Sequence, residues 1–128
     1  MRLLLDTHAL LWWLADDPAL SARARQIISW QANTILVSVA SAWEIAMKVR
    51  LGKLGGAEEL VSELVSRLAV EKFQQLNMTS DHAIRAGLLV GPHKDPFDRM
   101  LVAQSQAENL PLISGDEIFD SYRVRRIW

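Results

Sequence analysis

Asp6, Glu44, Asp98 and Asp116 are the residues of this chain best placed to do chemistry: Asp6 directly follows the first apolar run, Glu44 lies in the helical pattern after the second, Asp98 starts a late helix, and Asp116 follows the short apolar run Leu112-Ile113. In a layered α/β chain, carboxylates at such junctions gather on one rim. Two carboxylates 4 Å apart repel by about 4 kcal/mol at an effective dielectric near 20, so a rim of this kind calls for a cation. The chain has no cysteine, which removes disulfides, thiol nucleophiles and thiolate zinc sites together. A donor set of carboxylates and water favours Mg²⁺ or Mn²⁺ over zinc or copper. Such an ion polarises a phosphoryl oxygen and acidifies bound water, so the chemistry in view is phosphodiester hydrolysis.

Each acid also has an ordinary explanation. Asp6 can cap a helix starting near His8, Asp95 is a good N-cap, and Asp98 in the same first turn can complement the macrodipole. Asp116 can cap the turn to Phe119, and Glu44 precedes Lys48 by four residues, the favourable order for a helix-surface ion pair. Capping accounts for the acids singly but not for their common position beside strand ends.

The elements that must hold these residues are legible from periodicity. Arg2 to Leu5 is a short unalternating apolar run, as in a strand covered on both faces, and Leu10, Leu11 and Leu14 then recur at helical spacing up to Asp16-Asp17-Pro18. Ser21 is the N-cap of a second helix, Thr34 to Val37 reads as a strand, and Ser38 or Ser41 caps the helix that carries Glu44 and stops at Gly52. Ala57 to Leu68 is the clearest amphipathic helix, with Ala57, Leu60, Val61, Leu64, Val65 and Leu68 on one stripe. Val70 to Leu76 is a weak strand, Thr79 caps a helix to about Leu89, and Gly91-Pro92-His93 is a loop. Asp95-Pro96 opens a helix to about Glu108; Leu112-Ile113 is a strand, and Tyr122 to Ile127 a final edge strand. Strands alternating with helices predict an α/β fold with a mainly parallel central sheet, whose sites form outside the carboxyl ends of the strands.

Composition narrows the classes further. With 128 residues, 50% hydrophobic, 23% charged and a net charge of −1, the chain reads as a single domain over 1–128 without a diffuse positive field for a polyanion. Asp6 and His8 interrupt the apolar N-terminus, so no signal peptide is expected, and the uncharged stretch from Gln26 to Trp43 is too polar to span a membrane. A soluble, cytoplasmic protein is the expectation.

Leu3-Leu4-Leu5-Asp6-Thr7-His8, Ser38 to Lys48 (SVASAWEIAMK), Asp95 to Gln104 (DPFDRMLVAQ) and Leu112 to Asp116 (LISGD), in that order, resemble a PIN-domain ribonuclease, specifically a VapC-like toxin of a type II toxin-antitoxin system. The resemblance covers essentially the whole chain. It implies a PIN-like three-layer α/β/α sandwich and an Mg²⁺- or Mn²⁺-dependent endoribonuclease, neutralised by a cognate antitoxin and forming a homodimer. It further implies 5′-phosphate and 3′-hydroxyl products. Asp6, Glu44, Asp98 and Asp116 match the family's acidic quartet. Asp6 and Asp98 would be direct metal ligands, with Glu44 and Asp116 binding directly or through water. Ser114 matches a position that holds a carboxylate or water, and Asp95 is an extra acid kept as a helix cap beside the site.

Other polar and aromatic residues carry weaker expectations. Arg99 and Lys48 are candidates for contact with the RNA backbone, as are the local groups Lys48, Arg50, Lys53 and Arg123, Arg125, Arg126; ordinary solvated faces are the alternative. His82 and His93 read as surface residues without a role, and His8 as structural or touching substrate. Trp43 reads as core, while adjacent Trp12 and Trp13 cannot both face inward, which leaves one at the surface or an interface. The rival of another class is a non-catalytic α/β protein-binding module whose acids are caps. A receiver domain would pair acids at the first strand end, and a haloacid-dehalogenase-type phosphatase would show Asp-x-Asp there. Asp6-Thr7-His8 fits neither.

Overall fold

The computed structural model describes residues 1–128. The chain runs β1 (Arg2–Leu5), α1 (Thr7–Leu14), α2 (Ala22–Ser29), β2 (Thr34–Ser38), α3 (Val39–Arg50), α4 (Glu58–Val70), β3 (Gln74–Leu76), α5 (Ser80–Leu88), α6 (Pro96–Glu108), β4 (Leu112–Ile113), a 3-10 turn over Glu117–Ser121, and β5 (Arg126–Ile127). One sheet in the order β3-β2-β1-β4-β5 holds all the strands, and every pairing is parallel. In register, Leu5 of β1 pairs with Val37 on one side and Ile113 on the other.

Strand side chains alternate between faces, and the alternation sorts the core in two. Leu3, Leu5, Ile35, Val37, Ile113 and Ile127 pack with Leu10 of α1, Ile28 of α2, Ile45 of α3 and Leu64 of α4. Leu4, Leu36 and Leu112 face the other way, onto Leu101 and Val102 of α6, Phe119 and Tyr122. Helices therefore cover both faces, which makes a three-layer α/β/α sandwich and explains why Leu3, Leu4 and Leu5 are all fully buried. No helix is long and apolar enough to cross a membrane.

The helix starts follow the capping logic. Ser21 accepts from the Ala24 amide, Ser38 from the Ala40 amide, Thr79 from the His82 amide, and Asp95 from the amides of Phe97 and Asp98. Of the two serines offered for α3, Ser38 is the cap, and it is also the last residue of β2.

Several expectations are corrected. The weak strand from Val70 shrinks to Gln74–Leu76 because α4 runs on to Val70, and the last strand shrinks to Arg126–Ile127, at the sheet edge as expected. Val65 is 66% exposed despite its place on the α4 stripe. Trp43 is 59% exposed because α3 buries Ala40, Ser41, Glu44 and Ile45, which leaves Trp43 to meet Phe97 edge-on from outside. Trp12 and Trp13 are both half-buried, since α1 is flanked by two neighbours: Trp12 meets Trp128, while Trp13 meets Phe73 and donates to Glu71. His82 is buried, its Nδ1 accepting from the Thr79 amide and its Nε2 2.8 Å from Glu108, so it takes the place of Glu in a capping box.

The two α-helical positions Leu101 and Val65 test this layering. Leu101→Ala should lower the unfolding free energy by about 2 to 5 kcal/mol in denaturant titrations, whereas Val65→Ala should stay within about 0.5 kcal/mol of the parent.

Candidate active site

Both neighbours of β1 were reached by different routes: the chain runs from β1 outward to β2 and β3, then returns to place β4 and β5 on the other side. The gap beyond the carboxyl ends of β1 and β4 is thus a topological switch point, where open parallel sheets leave a crevice. Asp6 follows β1 and Ser114 follows β4, and Ser114 Oγ donates to Asp6 Oδ2 at 2.8 Å. The same hydroxyl accepts from the Asp116 amide at 3.0 Å, so one buried serine ties together the two strand ends.

Asp6 is 4% exposed and heads α1, yet its side chain makes no cap hydrogen bond. Burial pushes its carboxyl above the usual range, and Glu44 adds to the rise, while Ser114, His8 and the Thr7 amide oppose it. Next to it, Thr7 and Ser41, both buried, join α1 to α3 through hydroxyls 2.8 Å apart.

Glu44 is 2% exposed on α3. Its Oε2 lies 2.8 Å from Lys48 Nζ, while its Oε1 is buried without a partner. The pair with Lys48 is therefore no solvated surface bridge. Burial works against the charge on Lys48, but Glu44, Asp95 and Asp98 outweigh it and hold the ammonium above its ordinary pKa. Lys48 is thus the local cation of an acidic neighbourhood.

Asp98, in the first turn of α6, places Oδ2 2.5 Å from His93 Nε2. Burial raises its pKa to about 6 against the His93 bond, with Asp6, Asp95 and Glu44 contributing repulsion. Asp95 stays on its cap amides and acts on Asp98 through its field.

Asp6, Glu44 and Asp98 accordingly share one electrostatic neighbourhood, although their oxygens are not drawn into a ready coordination group. The expected four-carboxylate cluster is corrected to this extent, and the cause is local: Asp6 is held by Ser114, Glu44 by Lys48 and Asp98 by His93. Asp116 is exposed, and its carboxylate accepts from the Ile118 amide at 3.0 Å as a turn cap. Chemically the set fits a hard divalent cation, because desolvated carboxylates and the unpartnered Glu44 Oε1 offer only oxygen donors.

Two basic expectations change. Arg99 does not face outward; its guanidinium donates to the carbonyls of Ala86, Leu89 and His93 and so clamps the loop ahead of α6. Arg126 is paired with Asp120, while Arg123 and Arg125 line, with Arg2, a cleft of about 730 Å³ beside Met1 and Pro111, at the amino end of β1. His93, expected at the surface, is instead bonded to Asp98. The sequence hint, a histidine shortly before an acidic helix start, was too local to reveal a contact that depends on how the loop folds back.

The chain matches the PIN domain family over residues 3–124 and belongs to that family. Its fold is similar to that of VapBC2 from Rickettsia felis, in a structure bound to a DNA fragment from the promoter (17% identity, TM-score 0.69, 99% of this chain and 98% of that one). It is similar also to FitAcB from Neisseria gonorrhoeae (18% identity, TM-score 0.69, 100% and 97%) and to a toxin-antitoxin complex from Klebsiella pneumoniae (22% identity, TM-score 0.57, 90% and 87%). No curated protein matches the chain in sequence.

The raised Asp98 pKa has a testable sign. A carboxyl at about 6 in the folded protein and 3.8 unfolded keeps a proton on folding, so its favourable contribution is present at low pH and is lost as pH rises through about 6. In metal-free buffer, Asp98→Asn should therefore gain stability relative to the parent between pH 4 and pH 7, by at most about 3 kcal/mol. Paired thermal melts would show the gain; a difference constant with pH would contradict it.

Proposed function

We propose that this PIN domain is an Mg²⁺- or Mn²⁺-dependent endoribonuclease that acts as the toxin of a toxin-antitoxin pair. The observation that carries the catalytic half is the shared electrostatic neighbourhood of Asp6, Glu44 and Asp98, with Glu44 Oε1 buried and unpartnered. Asp6 and Asp98 would hold the ion, with Glu44 and Asp116 binding directly or through water. Such an ion would polarise a phosphoryl oxygen and make a bound water more acidic.

The chain's own residues do the positioning. Ser114 holds the Asp6 carboxylate, the Thr7–Ser41 contact fixes α1 against α3, and Lys48 anchors one oxygen of Glu44. In the reaction, a water oxygen forms a bond to phosphorus, the P–O3′ bond breaks, and the leaving 3′ oxygen takes a proton. The products carry a 5′-phosphate and a 3′-hydroxyl. Support for RNA comes from the VapC-like motifs, and support for the toxin role from those motifs and from the toxin-antitoxin complex among the similar folds. A cognate antitoxin and a second copy of the chain are the proposed protein partners, and Ile84, Leu88 and Val90 provide exposed apolar surface. The proposed setting is the cytoplasm.

The capping-only alternative fits Asp95 and Asp116, which do cap, but it leaves Asp6 without a cap bond and Glu44 buried. Asp6→Asn and Glu44→Gln should each lower kcat on RNA in Mg²⁺ by on the order of 100- to 1,000-fold. Cleavage retained in both variants would overturn the site. Saturating Mg²⁺ should also raise the Tm of the parent more than that of Asp98→Asn, because an ion that binds only the folded state stabilises it. Equal shifts would place the ion elsewhere.

A further inference from the structure

The geometry points to His93 as the positioning residue of Asp98: it anchors one carboxylate oxygen so that the other is presented to the divalent ion. The inference rests on the proposed metal site and adds a residue to it. His93 Nε2 meets Asp98 Oδ2 at 2.5 Å, whereas Asp98 Oδ1 takes no bond from a protein donor.

The loop that delivers the imidazole is fixed from several sides. The His93 amide donates to the Tyr122 hydroxyl at 3.0 Å, and the His93 carbonyl accepts from Arg99 at 3.2 Å. The ring lies edge-on to Phe119, with centroids 6.5 Å apart. Gly91 lets the loop lie flat against Tyr122, since a Cβ there would fall 2.3 Å from the ring. Arg99, the next residue after Asp98, also bonds the Ala86 and Leu89 carbonyls. The turn of α6 that carries the carboxylate therefore also anchors the loop that holds it, which a chance surface contact would not require.

Hydrogen bonds that orient a metal-binding carboxylate commonly change affinity by about 10- to 100-fold when removed. Mn²⁺ alone, titrated calorimetrically into the full chain, is the probe. His93→Ala should raise the Mn²⁺ Kd by about 10- to 100-fold, while His93→Gln, whose amide can still donate to Asp98, should recover most of the loss. Far-UV circular dichroism and melts establish that both variants fold. RNA cleavage by His93→Ala should return toward the parental kcat at high Mn²⁺, because the residue acts through affinity. An unchanged Kd in His93→Ala, or a glutamine variant as weak as the alanine one, would overturn this role while leaving the proposed function intact. A parent chain that binds no Mn²⁺ would instead overturn the metal site itself.

Discussion

Keeping several carboxylates out of water at one end of a parallel sheet is the constraint on which this structure turns. A desolvated carboxylate is costly unless it is bonded, protonated or matched by positive charge. The fold creates the problem, because β1, β2 and β4 run in the same direction and discharge their following residues at one rim. Asp6 then has little choice of direction: its backbone amide is taken by the Ile113 carbonyl, and its carbonyl accepts the first bond of α1 from Leu10. The side chain is left facing the switch point between β1 and β4.

The chain answers with three different donors, one each for buried Asp6 and Glu44 and half-buried Asp98. A serine hydroxyl serves Asp6, an ammonium serves Glu44, and an imidazole serves Asp98. None of these removes the strain completely. Asp6 and Asp98 still have raised pKa values, and one oxygen of Glu44 has no partner. A stability-driven design would replace such a group with apolar residues, since buried charge is seldom the cheapest way to fill a core. Asp95 provides the internal contrast, because its carboxylate sits on helix-start amides.

The supports of the rim extend well behind it. Tyr122 belongs to the second core and also receives the His93 amide, so packing under the sheet and placement of the imidazole are parts of one arrangement. Arg99 illustrates the same economy of residues: a position that looks suited to a phosphate instead donates to the carbonyl of Ala86 near the end of α5 and to those of Leu89 and His93 in the loop.

Local rules were enough for much of this. The apolar run Leu3-Leu4-Leu5, the caps Ser21, Thr79 and Asp95, the helical stripes and the acids beside strand ends are all dictated by nearest-neighbour chemistry, which sequence displays directly. Exposure of Trp43, burial of His82, the joint packing of Trp12 and Trp13, and the turn of Arg99 inward are not local, because each depends on which distant element covers a given helix face. The acids, the Glu44–Lys48 pair and Ser114 as a holder of a carboxylate could be named from the sequence, but not that Ser114 reaches Asp6 across 108 positions of chain, nor that His93 reaches Asp98 because a loop folds back onto Tyr122. Residue type determines what a side chain can do, while the pairing of β1 with β4 decides what it meets.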